Sequence, residues 1–139
     1  MGNRKNKQFV IENQVSEISF LAGKIDELAD EWNIPETLAM NINLAVEEAV
    51  SNIIFYAFAD SRKHEIEISL SFCENQLSIT ITDDGVPFNP LEQQQPDLTL
   101  SAEERPVGGL GIFLISQIMD KMDYTRKGNY NILTLKKTI

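Results

Sequence analysis

The chain has 139 residues, 42% of them hydrophobic and 24% charged, a size and balance that suit one globular domain with a core of its own. Its 21 acidic residues outweigh 12 basic ones for a net charge of -9, which repels nucleic acid and anionic lipid and argues against both as direct partners. One cysteine, Cys73, and one histidine, His64, exclude an internal disulfide framework and argue against a zinc cluster or a Ser-His-Asp or Cys-His centre.

No apolar run approaches the roughly 18 residues that span a bilayer, and no signal-peptide pattern opens the chain, so a cytoplasmic protein is expected. The acidic balance also sets a condition on any polyphosphate ligand. Such a site needs a cation and aimed backbone dipoles to offset the repulsion.

In chain order, Met1 to Lys7 is polar and basic and is expected to fray, and Phe9-Val10-Ile11 forms a short edge strand. Ile18, Leu21, Ile25, Leu28 and Trp32 fall at steps of three and four and trace one face of a helix. Asn33 offers an N-cap, with Pro35 in the first turn and Glu36 three residues on, for a second helix running to about Phe58. Leu38, Ile42, Ala45, Ala49, Ile53 and Tyr56 supply its buried stripe, beside a second stripe of Asn41, Leu44, Glu48 and Asn52.

Ile66, Ile68, Leu70 and Phe72 alternate with polar residues, as do Leu77, Ile79 and Ile81 beyond a turn at Glu74-Asn75, which predicts an antiparallel hairpin. Arg62-Lys63-His64 precedes it as a loop with a solvated histidine, and Cys73 is a small residue near a strand end. Asn89 to Arg105 has no period and is long for a loop in a compact domain, which suits a lid. The helix after it places Leu110, Phe113, Leu114, Ile118 and Met122 inward. Tyr124-Thr125 opens a further strand, Lys127-Gly128-Asn129 turns, and Tyr130 to Lys137 returns with Ile132 or Leu133, and Leu135, buried.

Three stretches carry chemistry. Glu48 and Asn52 are four apart and project from one helix face among small and apolar neighbours, so a carboxylate and an amide are half-buried together. Asp83-Asp84-Gly85 ends a strand. Gly108-Gly109-Leu110-Gly111 leads into a helix, and glycines before a helix N-terminus let backbone N–H groups approach a phosphate. Each has an ordinary reading as an exposed pair or a turn; their order along one chain is what is specific.

That order, with Glu48-Ala49-Val50-Ser51-Asn52, then Asp83-Asp84-Gly85-Val86-Pro87-Phe88-Asn89-Pro90, then Gly108-Gly109-Leu110-Gly111-Ile112-Phe113-Leu114-Ile115, resembles the GHKL ATPase superfamily. Within it the chain is most similar to the anti-sigma-factor serine/threonine kinases of bacterial partner-switching systems. The resemblance implies one Bergerat-type domain over 1–139, a two-layer α/β sandwich with a mixed, mostly antiparallel sheet, helices on one face and a lid at 89–107. It implies that ATP and Mg²⁺ are bound, with Asn52 on the metal and Glu48 as general base. Asp83 would accept from the adenine amino group, Gly85 would give the base room, and Gly108, Gly109, Leu110 and Gly111 would wrap the phosphates.

The implied activity is phosphorylation of a small anti-anti-sigma partner of the STAS type, coupled to holding a sigma factor, with a homodimer left open. The alternative is a module that binds ATP and sequesters a partner without turnover. Phosphorylation of histidine is disfavoured because the chain lacks an acceptor-histidine box and a dimerisation helix pair. Two positions depart from the family pattern: Tyr56-Ala57-Phe58 stands where His-Ala-Tyr is common, and Tyr130-Asn131 where the last strand often opens Gly-Thr.

Overall fold

The computed structural model describes residues 4–58, 60, 62–92 and 109–139, with the backbone alone at 92 and 109–112. Strand β1 (Lys5–Glu12) is followed by helices α1 (Ser16–Glu31) and α2 (Glu36–Tyr56), the hairpin β2 (Glu65–Cys73) and β3 (Gln76–Asp83), helix α3 (Gly109–Ile118), and the hairpin β4 (Lys121–Lys127) and β5 (Tyr130–Thr138). The five strands form one sheet in the order β1-β2-β3-β5-β4. The α/β class is as expected, and every pairing among the described residues is antiparallel, so the expected mixed sheet narrows to an antiparallel one.

Register explains where the core sits. Ile68 pairs with Ile81 and Ile81 with Leu133, while Leu70 pairs with Ile79 and Ile79 with Leu135. Side chains alternate between faces along a strand, so these rows share one face, and all are buried. The opposite face carries Ser69, Ser71, Ser78, Thr80, Thr82 and Thr134. The buried row one step beyond Ile68 and Ile81 runs from Ile11 through Ile66 to Asp83 and Asn131, so the apolar face ends in two buried polar side chains. The tight β2-β3 turn falls at Glu74 and Asn75, as predicted, and both adopt positive φ, at 53° and 64°.

Helix α2 buries Ala39, Ala45 and Ala49 together with Ile42, Val46, Val50 and Ile53. Tyr56 leaves the expected buried stripe, being 39% exposed and stacked on Phe88, while in the neighbouring stripe Asn41 and Leu44 face outward. Leu21, Ile25, Leu28 and Ala29 form the buried face of α1, and Trp32 beyond it stacks on Phe72 with ring centroids 6.1 Å apart.

The boundary between the two helices differs from the expectation. Asn33 has φ 57° and closes α1 instead of opening α2. Its N–H reaches the Asp30 carbonyl and the Ile34 N–H reaches that of Ala29, the paired bonds of a left-handed helix stop. Pro35 then occupies the N-cap of α2 without a side-chain cap. Helix α3 is likewise shorter than predicted, because the Asp120 N–H bonds the Lys136 carbonyl and the chain joins the sheet at Lys121, which makes Met122 a strand residue. Strand β1 begins at Lys5, earlier than the expected Phe9. Gly108 and the lid stretch 93–107 lie outside the described residues.

Candidate functional site

The end of β3 meets the last turns of α2 in a cavity walled by Ala49, Asn52 and Ile53 from the helix, Asp83, Asn131 and Leu133 from the sheet, Tyr124 from β4, and Phe88 and Pro90. Strand alternation places Asp83 here. It continues the inward phase of Ile79 and Ile81, whereas Asp84 is exposed and turns to His64.

Asp83 is 3% exposed. Its Oδ1 accepts from the Gly85 N–H at 2.8 Å and from Asn131 Nδ2 at 3.0 Å. Burial pushes the carboxyl above the ordinary aspartate value, and the two hydrogen bonds pull against that. A buried carboxylate with one oxygen so engaged can accept from a donor on a bound ring.

The glycine after it has a structural explanation that lies behind the pocket, not in it. A Cβ on Gly85 would stand 2.3 Å from the Ala57 carbonyl oxygen, which also accepts the Val86 N–H at 2.7 Å. The turn is therefore fastened to the end of α2 at a spacing that only glycine allows.

Asn52 is 7% exposed, and its Nδ2 has no hydrogen-bond partner among the described residues. Buried amide groups are nearly always paired, so an orphan donor lining a cavity faces space for an acceptor, from a ligand or a water. Glu48, one turn earlier on α2, is half-buried and does not wall the cavity. Burial first, and then the charge of Glu47, raises its carboxyl above the ordinary glutamate value, the direction that suits a proton acceptor. No group of three or more His, Cys, Asp or Glu among the described residues could hold a metal. A metal here would take Asn52 and the ligand's own oxygens.

Gly109, Leu110 and Gly111 are the first residues of α3, so the glycine stretch does run into a helix N-terminus, while Gly108 lies outside the described residues. The structure thus brings Asn52 and Asp83 to one cavity, with Glu48 a turn away from Asn52.

Sequence reasoning missed Asn131, Tyr124 and Arg126. The signal for Asn131 was its place two residues before Leu133 on an alternating strand, a polar residue in the buried phase. It missed His64 too, which is not a solvated loop residue: its ring stacks on Phe58 at 4.4 Å, and its nitrogens meet Asp60 at 2.7 Å and Asp84 at 3.1 Å.

A two-layer sandwich whose sheet end and second helix wall this cavity, with a glycine stretch opening a third helix, defines a class. The chain belongs to the histidine kinase-like ATPase domain family, whose family model matches residues 12–137. It is similar to the serine/threonine-protein kinase BtrW of Bordetella bronchiseptica, 30% identical over 78% of the chain and 75% of that protein. It is also similar to the anti-sigma F factor of Clostridium perfringens, 28% identical over 99% of the chain and 97% of that protein. Among solved structures, that of the RsbU and RsbW domains of a Mycobacterium tuberculosis protein superposes with a TM-score of 0.68 over 96% of the chain. At 12% identity it shows the fold alone, and the chain spans 32% of that longer protein. No helix among the described residues is long and apolar enough to cross a membrane.

Proposed function

We propose that this chain is an ATP-dependent serine/threonine protein kinase that acts as an anti-sigma regulatory factor and phosphorylates a small anti-anti-sigma partner of the STAS type, with a sigma factor as its second partner. The names borne by the relatives support the activity. The observation that carries the site is the buried Asn52 Nδ2, unpartnered among the described residues, in the wall of the Asp83 cavity and one turn from Glu48.

Asp83 accepts a hydrogen bond from the adenine amino group, and Phe88, Ile53 and Leu133 cover the base. The amide oxygen of Asn52 is a hard ligand suited to magnesium, which binds few protein groups and keeps phosphate oxygens and waters. When bound, that ion neutralises charge on the phosphates of an otherwise repelled anion. The Nδ2 donor of Asn52 lacks an acceptor among the described residues, which a phosphate oxygen would supply, and Oδ1 on the same amide is the atom that would face the metal. The backbone of Gly108 to Gly111 and the start of α3 receive the phosphates, with 89–107 as the lid of this one domain. Glu48 takes the proton from the attacking hydroxyl of the partner protein; its raised carboxyl value favours that step.

The test is incubation with γ-labelled ATP, magnesium and a co-purified partner protein. Label on a partner serine or threonine supports the reading. ATP bound without transfer makes the chain a sequestering module instead, and no heat on titration with Mg·ATP removes the nucleotide reading.

A further inference from the structure

At the base end of the cavity stands a side chain whose hydrogen-bonding capacity is spent on the protein. Asn131 is 4% exposed. Its Nδ2 donates to Asp83 Oδ1 at 3.0 Å and to the Val86 carbonyl at 2.8 Å. Its Oδ1 accepts from the Phe88 N–H at 3.2 Å, from Arg126 Nη1 at 3.2 Å and from the Tyr124 hydroxyl. An amide has two donor hydrogens and two lone pairs. Both hydrogens are used and the oxygen is crowded, so nothing remains to offer a bound base.

The partners come from three places. Asp83 ends β3, Val86 and Phe88 lie in the turn after it, and Tyr124 and Arg126 are on β4. Arg126 Nη1 also donates to the Gly85 carbonyl at 2.7 Å, so it braces the same turn. One amide therefore fixes the carboxylate, the turn behind it and the edge strand together.

We propose that Asn131 is a positioning residue for nucleotide recognition, which touches no ligand and sets affinity by holding Asp83 Oδ1 so that the other carboxylate oxygen is left for the base. The proposal rests on the reading of Asp83 as the acceptor for adenine.

A near-isosteric change gives it a distinctive signature. Asn131→Asp replaces the donating nitrogen, 3.0 Å from Asp83 Oδ1, with an oxygen. Two carboxylates at that spacing do not both ionise readily and share a proton. While the proton is held, the introduced carboxyl donates to Asp83 and forfeits only the bond to the Val86 carbonyl. Once it is lost, two charges repel and Asp83 is displaced. ATP affinity of this variant falls as pH rises, whereas wild-type affinity falls only on acidification toward the titration of Asp83 itself. The two pH trends have opposite signs.

The experiment is calorimetric titration of Mg·ATP and the inosine analogue Mg·ITP, which lacks the amino group, between about pH 5.5 and about pH 8.5. It uses wild type, Asn131→Asp, Tyr124→Phe and Asp83→Asn, each checked for folding by circular dichroism at every pH. Asn131→Asp is expected to bind ATP about tenfold more weakly than wild type at the alkaline end, to recover on acidification, and to discriminate less against ITP. Tyr124→Phe, which leaves the ring in place, should raise the Kd for ATP about 2- to 10-fold.

A folded Asn131→Asp protein that keeps the wild-type pH trend overturns the proposal. If that variant does not fold, Tyr124→Phe decides, and an unchanged Kd overturns it. An Asp83→Asn protein that binds ATP as tightly as wild type overturns the adenine reading beneath it, a different result from the other two.

Discussion

At the Asp83 end of the cavity the carboxylate, the Asn131 amide, the Arg126 guanidinium and the Tyr124 hydroxyl are bonded to one another and to the backbone of the turn. At the Asn52 end a buried amide nitrogen has no partner among the described residues, and the Glu48 carboxyl a turn away is raised by burial and by Glu47. Both ends are built from side chains in the buried phase of a regular element. The difference lies in what completes them. A preorganised end saves the ordering that binding would otherwise cost. An orphaned amide costs about 1 to 3 kcal/mol in the free protein, a cost that a ligand removes on binding.

This contrast can be broken from either side. At the open end, Glu48→Gln keeps size and polarity but removes the proton acceptor. Phosphoryl transfer should drop about 10² to 10⁴-fold while Mg·ATP affinity holds, as read by single-turnover transfer beside calorimetry. A variant that transfers at the wild-type rate would move the base to Glu47 or to the substrate itself.

At the closed end, Gly85→Ala forces a Cβ to within 2.3 Å of the Ala57 oxygen, so the turn or the helix end must shift. We expect a loss of about 1 to 3 kcal/mol in urea unfolding, with weaker ATP binding because the Gly85 N–H holds Asp83. Unchanged stability would mean that the turn is not fastened where the structure fastens it.

The smallest effect belongs to His64, which clips the turn to the loop before β2. The Asp60 hydrogen bond, and then that of Asp84, raise its value above the ordinary histidine one. A folded value above the unfolded one means that the native state holds the proton more tightly. This contribution to stability is fully present below about pH 6.5 and is lost as pH rises through the folded value. Unfolding midpoints should fall across that window in wild type and stay flatter in His64→Gln. Parallel curves would show that the clip carries no charge.

The same contrast governs what could be seen in the sequence. The Ile66 to Phe72 and Leu77 to Ile81 alternations announced the hairpin, because burial of one sheet face imposes a period of two that few other structures share. Glu48 and Asn52 were legible from their spacing and their small neighbours. Asn33 was misplaced because asparagine suits both a helix N-cap and a left-handed helix stop, and only the bonds to Asp30 and Ala29 decide between them. The end of α3 was set too late because Asp120 and Lys121 are recruited by β5, a pairing between segments that local periodicity does not carry. His64 and the closed end were hidden for a related reason. Asp60 and Asp84 flank the histidine from different loops, and Asn131 meets Asp83 across 48 positions of chain.

The most direct measurement is urea unfolding of wild type and Asn52→Leu, each with and without Mg·ATP. Leucine matches asparagine in size and needs no partner. The variant should be more stable than wild type by about 1 to 2 kcal/mol without nucleotide and gain nothing from Mg·ATP, which stabilises wild type by binding its folded state. An Asn52→Leu protein that is less stable without nucleotide and still gains from Mg·ATP would contradict the account, because Asn52 would then be satisfied within the protein and the open end of the cavity would lie elsewhere.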